Sequence, residues 1–525
     1  MKSKLFAFFH LNIMYSAIEE KERIKVIKRC YWPLLKIIQK YNLPFGIELS
    51  GYTLETINNL DPNWVREFKK LLKKGICELI GCGYSQIIGP LVPSNLNYNN
   101  LKLGDKVYRK LLGIKPKIAL VNEQAFSKGL IENYLSNNYT TIITEWENSQ
   151  ILNQKNKNGY LYFPQILSYQ GKKIKIIWNN SINFQKFQRY VHGEYTLNEY
   201  INHVTRITNY GKGAISLYGN DIEIFDFRPG RYMTESKLSK DSEWNKIDDL
   251  FNFLINENKF KFVKVSEVLN LNHSKLSNNN IDIVNPSKPI PVKKQEKYNI
   301  VRWAVSGRND LDINTDCWKI FNSLDSINQA NEKDWRELCY LWSSDFRTHI
   351  TFNRWSKYLK RLKNYKKKLS ISKKEKNFKK IIFDKEIFIN ENNRAIINKS
   401  PYKINTSYEG NLLKIEGKRL KISFNCYRGL AINSYIDKKY SKLPLFGTIH
   451  HGTLQDIKFS ADFYSGHTVF ESPGQHKVTD LNIVEPLIKI RDDIIEISST
   501  IPTRIGLIEK SWIFDDSIGR LIQKI

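Results

Sequence analysis

Along the first half of the chain, short unbroken apolar runs alternate with segments whose apolar residues recur at helical spacing. Runs at 5–9, 45–49, 77–81 and 118–121 are followed by helical patterns at 24–41, 64–74, 99–112 and 129–137. Further runs lie at 140–144, 174–178, 214–218 and 262–265. Strands buried on both faces read as continuous apolar runs, and their alternation with helices predicts an α/β fold, a parallel sheet with helical crossovers. With about seven strands and polar residues at several of their carboxyl ends, a closed or nearly closed barrel fits residues 1–270 better than an open sheet, which periodicity alone does not exclude.

The texture then changes twice. Residues 271–298, with Asn278-Asn279-Asn280 and Pro286, Pro289 and Pro291, read as a linker. Helical periodicity over 299–365 predicts a small helical subdomain, and 366–380 a basic linker. From 381 to 525, short apolar runs separated by polar turns predict an antiparallel β-sandwich.

Composition narrows the class. A chain of 525 residues, 41% hydrophobic, divides into several domains, and no apolar stretch is long enough to span a membrane. The basic start and short apolar run at 1–9 lack a small-residue cleavage site and read as a first buried strand rather than a signal peptide. Six scattered cysteines without a CxxC argue against structural zinc and place the protein by default in a reducing cytoplasm. The net charge of +29 raises nucleic acid as a partner, but no such motif accompanies it. The densest lysine run, 357–380, reads as a solvated helix face, with an acidic partner or membrane surface as the alternative.

Two of the apolar runs end abruptly in carboxylates. One is Ile118-Ala119-Leu120-Val121-Asn122-Glu123-Gln124; the other is Ala214-Ile215-Ser216-Leu217-Tyr218-Gly219-Asn220-Asp221. Carboxyl ends of parallel strands are where reacting groups are displayed. Cleaving a glycosidic bond with retention needs a carboxylate nucleophile and a proton donor about 5 Å apart. Glu123 and Asp221 are the candidates. Glu223, two residues further along the same strand direction, is the main rival for the acid role, with Asp226 behind it.

Phe8-Phe9-His10-Leu11-Asn12, Glu78-Leu79-Ile80-Gly81-Cys82-Gly83-Tyr84, Asn122-Glu123, Asp221-Ile222-Glu223-Ile224-Phe225 and Trp342-Ser343-Ser344-Asp345 resemble, in order, five motifs of glycoside hydrolase family 57. The resemblance covers roughly residues 1–360. It implies an incomplete (β/α)7 barrel, a helical segment completing the cleft and a β-rich domain behind. It also implies a retaining mechanism on α-linked oligo- or polysaccharide, as in amylases, 4-α-glucanotransferases, branching enzymes and some α-galactosidases, with no metal or organic cofactor. Glu123 matches the nucleophile and Asp221 the general acid/base, while His10, Glu78 and Asp345 match substrate-contacting positions. The first motif departs at Phe8, where a histidine is usual, and at Asn12, where a proline is usual; the fourth departs at Asp226, where glycine is usual. These departures leave the sugar open, a cell-surface polysaccharide standing beside starch and glycogen.

Other residues are candidates for contacting sugar. Tyr84, Gln86, Trp146, Trp303 and Trp342 lie beside proposed strand ends or in the helical region, where aromatic faces could stack on sugar rings. Arg302, Arg308, Asp345, Arg347 and His349 could orient hydroxyls. His450-His451 and the stretch from Asp462 to His467 read as a cleft loop, sandwich turns or metal ligands; adjacent strand residues face opposite ways, which weakens chelation by the pair. Two other readings remain: a metal-dependent polysaccharide deacetylase, for which the first 270 residues show no His-x-x-x-His near a strand-end Asp, and a carbohydrate-binding protein without turnover.

Overall fold

The computed structural model describes residues 2–147, 158–208, 213–228, 238, 241–281, 303–304, 309–327, 330–347, 350–369, 398–399, 404–449, 464–471 and 477–525. Those up to 369 form one compact unit and those from 398 another.

The first unit contains ten described strands: β1 (Ser3–Leu11), β2 (Gly46–Leu49), β3 (Glu78–Ile80), β4 (Ile118–Leu120), β5 (Thr141–Glu145), β6 (Gln165–Tyr169), β7 (Lys172–Asn179), β8 (Ala214–Asp221), β9 (Phe260–Phe262) and β10 (Asn280–Ile281). Parallel pairing runs β8-β1-β2-β3 in one sheet and β4-β5-β7 in another, and a parallel bridge between Gly81 and Ala119 joins β3 to β4. β6 forms an antiparallel hairpin with β7, and β9 pairs with the start of β1. Alternation along β1 explains its unbroken apolar sequence. Phe6 and Phe8 pack against Ile80, Ile118, Leu120, Ile143 and Ile177 from the other strands, while Leu5, Ala7, Phe9 and Leu11 face the helices.

Two expectations need adjusting. Within 271–298, Leu271 and Ile281 are buried, β10 pairs with β6, and Gln165 donates to the Leu276 carbonyl at 2.6 Å. These apolar anchors tie 271–281 back to the first unit; 282–298 lies outside the described residues. The helices Asp310–Ile327, Glu332–Leu341 and Phe352–Lys368 share one apolar core with the helices around β1 and β2, so they are part of the same unit.

One close approach is essential to this packing. Gly104, inside the helix Ser94–Leu112, lies so near the turn after β3 that a methyl there would come within 2.5 Å of the Gly83 carbonyl carbon. Gly83 itself has φ 105°, a conformation reserved for glycine. Gly104→Ala is expected to lower stability by about 1–3 kcal/mol, read as a lower urea midpoint, because backbone rather than a flexible side chain must yield.

In the second unit a six-stranded antiparallel sheet, from Asn398–Lys399 to Phe446–Gly447, and a four-stranded one, from Leu487–Arg491 to Arg520–Lys524, enclose one core. Leu413, Ile415 and Phe424 meet Ile495, Ile497 and Phe514 there. Strands expected at 381–383 and 394–397, and also His450, His451 and Asp462, lie outside the described residues. His467 is an exposed turn residue whose Nδ1 bonds the Tyr464 carbonyl at 2.7 Å.

Candidate active site

Parallel registration sets His10 of β1 level with Glu48 of β2 on one side and Asp221 of β8 on the other. Residues level in a parallel pair face the same way, so three titratable groups gather at the carboxyl-terminal edge. His10 Nδ1 donates to the Glu48 carboxylate, and Nε2 lies 3.8 Å from Asp221 Oδ1. Burial alone would strip the proton from His10, but Glu48, Asp221 and Glu223 override it and lift its pKa to about 10. At neutral pH the ring is an imidazolium flanked by Glu48 and Asp221.

β4 ends in the tight turn Asn122–Gln124, where Glu123 (φ 51°) and Gln124 (φ 58°) are both left-handed. For residues other than glycine this costs on the order of 1–3 kcal/mol each and persists only where neighbours enforce it. Here Asn122 Nδ2 donates to the Cys82 carbonyl at 3.1 Å, and the Gln124 amide oxygen accepts from Thr144 at 3.2 Å. The half-buried Glu123 carboxylate accepts from the Ser344 hydroxyl at 2.9 Å. Ser344 is delivered by a bridge between Ile87 and Ser343 and by its own N–H donating to the Gln86 carbonyl at 2.8 Å.

Asn12 connects the two halves of this arrangement. Its side-chain amide donates to Asp345 at 2.7 Å, and its backbone N–H donates to Glu223 at 2.6 Å. Asp345 also accepts from Ser343 at 2.8 Å, and Glu223 from the Tyr31 hydroxyl at 2.5 Å. Burial and the Asp221 charge push Glu223 up to about 7, against the pull of His10, Tyr31 and Asn12. Burial likewise raises Asp345. Asn12 thus ties Asp345, the chain neighbour of the Ser344 that holds Glu123, to Glu223, two residues beyond Asp221, while His10 lies beside Asp221. Asp221 keeps a side chain 24% exposed, whereas Glu48 and Glu223 are buried.

Several sequence-predicted contacts stand elsewhere. Glu78 opens β3 at the amino-terminal end, where its carboxylate accepts from the Ser266 N–H and hydroxyl; it is Glu48, a charge inside an apolar strand, that stands beside His10. Tyr84 is buried, its hydroxyl donating to Glu55 at 3.2 Å and its ring covered by Arg336. Gln86 is buried and acts through its carbonyl on Ser344. Trp146 is core, edge-on to Trp178, and Trp303 is buried beside Ile88 and Ala125. Trp146 and Trp303 are each 2% exposed. Trp342 is core as well. His349, Arg302 and Arg308 lie outside the described residues.

Glu145 ends β5, the residue before Trp146. It is 4% exposed, accepts from the Ser181 N–H at 2.6 Å, and is lifted by burial to about 8. Among the described residues, no group of three or more His, Cys, Asp or Glu side chains is placed to hold a metal ion.

The model of glycosyl hydrolase family 57 matches residues 6–284, which run from within β1 through β10 and include both strand-end carboxylates. The chain belongs to glycosyl hydrolase family 57. It is 18% identical, over 39% of its length, to an alpha-amylase of Pyrococcus furiosus, and it spans about a third of the length of the curated relatives it matches. Among solved structures it is similar to the 4-alpha-glucanotransferase of Thermococcus litoralis (TM-score 0.53, 10% identity, 98% of this chain and 85% of that one). It is also similar to a family 57 branching enzyme of Thermococcus kodakaraensis (TM-score 0.51, 12% identity, 70% and 90%). At such identities the likeness shows the fold.

The departures from the family 57 motifs have physical counterparts. Phe8 is fully buried against Gly46 and Gly219, so that strand position is used for packing. Asn12, unlike a proline, has the N–H that reaches Glu223. Asp226, left-handed at φ 60°, accepts from the Glu243 N–H at 2.7 Å while Glu243 accepts from its own N–H at 2.8 Å. That reciprocal clasp fixes the start of the helix Glu243–Asn256 and occupies Asp226 structurally.

Proposed function

We propose that this protein is a retaining glycoside hydrolase or transglycosylase acting on α-linked glucan, with Glu123 as nucleophile and Asp221 as general acid/base. The observation that carries the reading is the pair of partly open carboxylates at strand ends, Glu123 held by Ser344 and Asp221 beside His10, with Asn12 bridging Asp345 and Glu223 next to them. Family membership and the printed activities of the relatives, amylase, glucanotransferase and branching enzyme, support the substrate class. On this reading the strands β1, β2, β3, β4, β5, β7 and β8 form an incomplete (β/α)7 barrel. Between β7 and β8 the contact is the Asn179 amide donating to the Gly219 carbonyl at 2.8 Å.

In the first step a Glu123 oxygen attacks the anomeric carbon while Asp221 gives its proton to the departing glycosidic oxygen. The His10 imidazolium, beside Asp221, offsets the negative charge that Asp221 gains. In the second step Asp221 takes a proton from water or from a sugar hydroxyl, which displaces Glu123 and restores the original anomeric configuration. The test is proton NMR of the first products formed from maltoheptaose. The α-anomer should appear before mutarotation, and Asp221→Asn should abolish its formation. A β-anomer, or turnover unaffected by Asp221→Asn, overturns the assignment.

A further inference from the structure

A cleft of about 720 Å³ lies between the end of the helix Ser181–Val191, the following turn and the helix Glu243–Asn256. It is far from the site above. Glu257 closes the cleft just before Lys259, whose carbonyl accepts from Ser3 at the start of β1, whereas His10 ends that strand. Seven residues at about 3.3 Å each separate the two ends by roughly 23 Å.

Its lining has an aromatic platform held from behind. The half-buried Tyr195 ring faces the cleft, with the Arg189 guanidinium 4.5 Å and the Lys186 ammonium 5.0 Å from its centroid. Arg189 also donates to the Tyr195 hydroxyl at 2.8 Å, and neither cation lines the cleft. The Arg189 bond to its hydroxyl and the two flanking cations fix the orientation of this lining ring. Phe253 supplies a second, partly exposed aromatic surface. Around them stand Lys246, Asp249 and Glu257, whose side chains take part in no hydrogen bond or ion pair among the described residues. Aromatic faces beside uncommitted carboxylate and ammonium groups suit a ring with an apolar C–H face and equatorial hydroxyls, which is a pyranose. With charges of both signs, the lining favours a neutral ligand over a polyanion.

We propose that this cleft is a second, non-catalytic binding site for an α-linked gluco-oligosaccharide. It would hold one stretch of a polymer on the face opposite the reacting carboxylates. The sugar class rests on the function proposed above; the existence of a site rests on the cleft itself.

Hydrogen exchange with mass spectrometry, on full-length Glu123→Gln with and without millimolar maltoheptaose, tests it. Peptides covering 190–197 and 246–257 should gain protection. Tyr195→Ala should abolish that protection, and Asp249→Ala, at an exposed surface position, should weaken it at least fivefold in maltoheptaose concentration. Protection confined to peptides at 118–126 and 214–223 overturns the second site and leaves the proposed function standing. Protection at the cleft, where the native protein itself shows no turnover of maltoheptaose, supports the site and removes the function. No protection anywhere, or cleft protection indifferent to both substitutions, overturns the site.

Discussion

Glu123→Gln is expected to lower kcat on maltoheptaose by about 10⁴-fold or more, since removing the group that forms the covalent bond leaves only binding and electrostatics. Binding should persist, because glutamine is isosteric and Ser344 can still donate to the side-chain oxygen in place of the carboxylate. The smaller Glu123→Ala separates a nucleophile from a residue that only orients substrate. Azide added to Glu123→Ala should restore bond cleavage and give the glycosyl azide of inverted configuration, because the anion enters from the face the carboxylate vacated. The left-handed turn makes the outcome more pointed. A backbone conformation costing on the order of 1–3 kcal/mol at each of two residues places this side chain, and since glutamine and alanine both keep a Cβ, neither variant relieves that cost. Full kcat in Glu123→Gln, or azide without effect, would remove Glu123 from the reaction.

Glu48→Gln is expected to have the largest effect on stability, about 3–5 kcal/mol, because it strands the buried His10 cation without its main counter-ion. The pH dependence identifies the cause. His10 has a folded pKa of about 10 against 6.5 when unperturbed, so its contribution is full below about pH 6.5 and is lost as pH rises towards 10. Glu223 and Glu145, lifted to about 7 and 8 from 4.5, also bind protons more tightly when folded, and their contribution falls as pH rises from 4.5 through those values. Unfolding free energy from urea titrations should therefore decline from pH 5 to pH 10. Glu48→Gln should flatten the part between 7 and 10. An unchanged slope there would show that Glu48 does not hold the proton on His10.

The strands around β1 were legible because burial on both faces leaves no room for polar residues, and their sequence periodicity survives without any tertiary information. Glu123 and Asp221 were legible for the opposite reason: each breaks an apolar run where a strand ends. Glu48 was open to the same argument, standing inside Gly46-Ile47-Glu48-Leu49, but lying within the run it lacked the abrupt ending that drew attention. That Glu78 stands apart from His10 has a related origin. A carboxylate at the start of a strand and one at its end look alike in sequence, yet parallel pairing places them at opposite edges. Trp146 lies buried edge-on to Trp178, since tryptophan beside a strand end is equally suited to packing.

By itself, then, the sequence determined which segments form buried parallel strands, where their polar ends fall and which ordered motifs they carry, since each depends on residues near one another along the chain. Only the tertiary structure decided that Asn12 would link Asp345 to Glu223, that His10 would sit charged between Glu48 and Asp221, and that Ser344 would reach Glu123. Those contacts join residues up to 333 positions apart, and no local pattern encodes which distant partner will meet a given polar side chain once the strands have registered and the helices have closed over them.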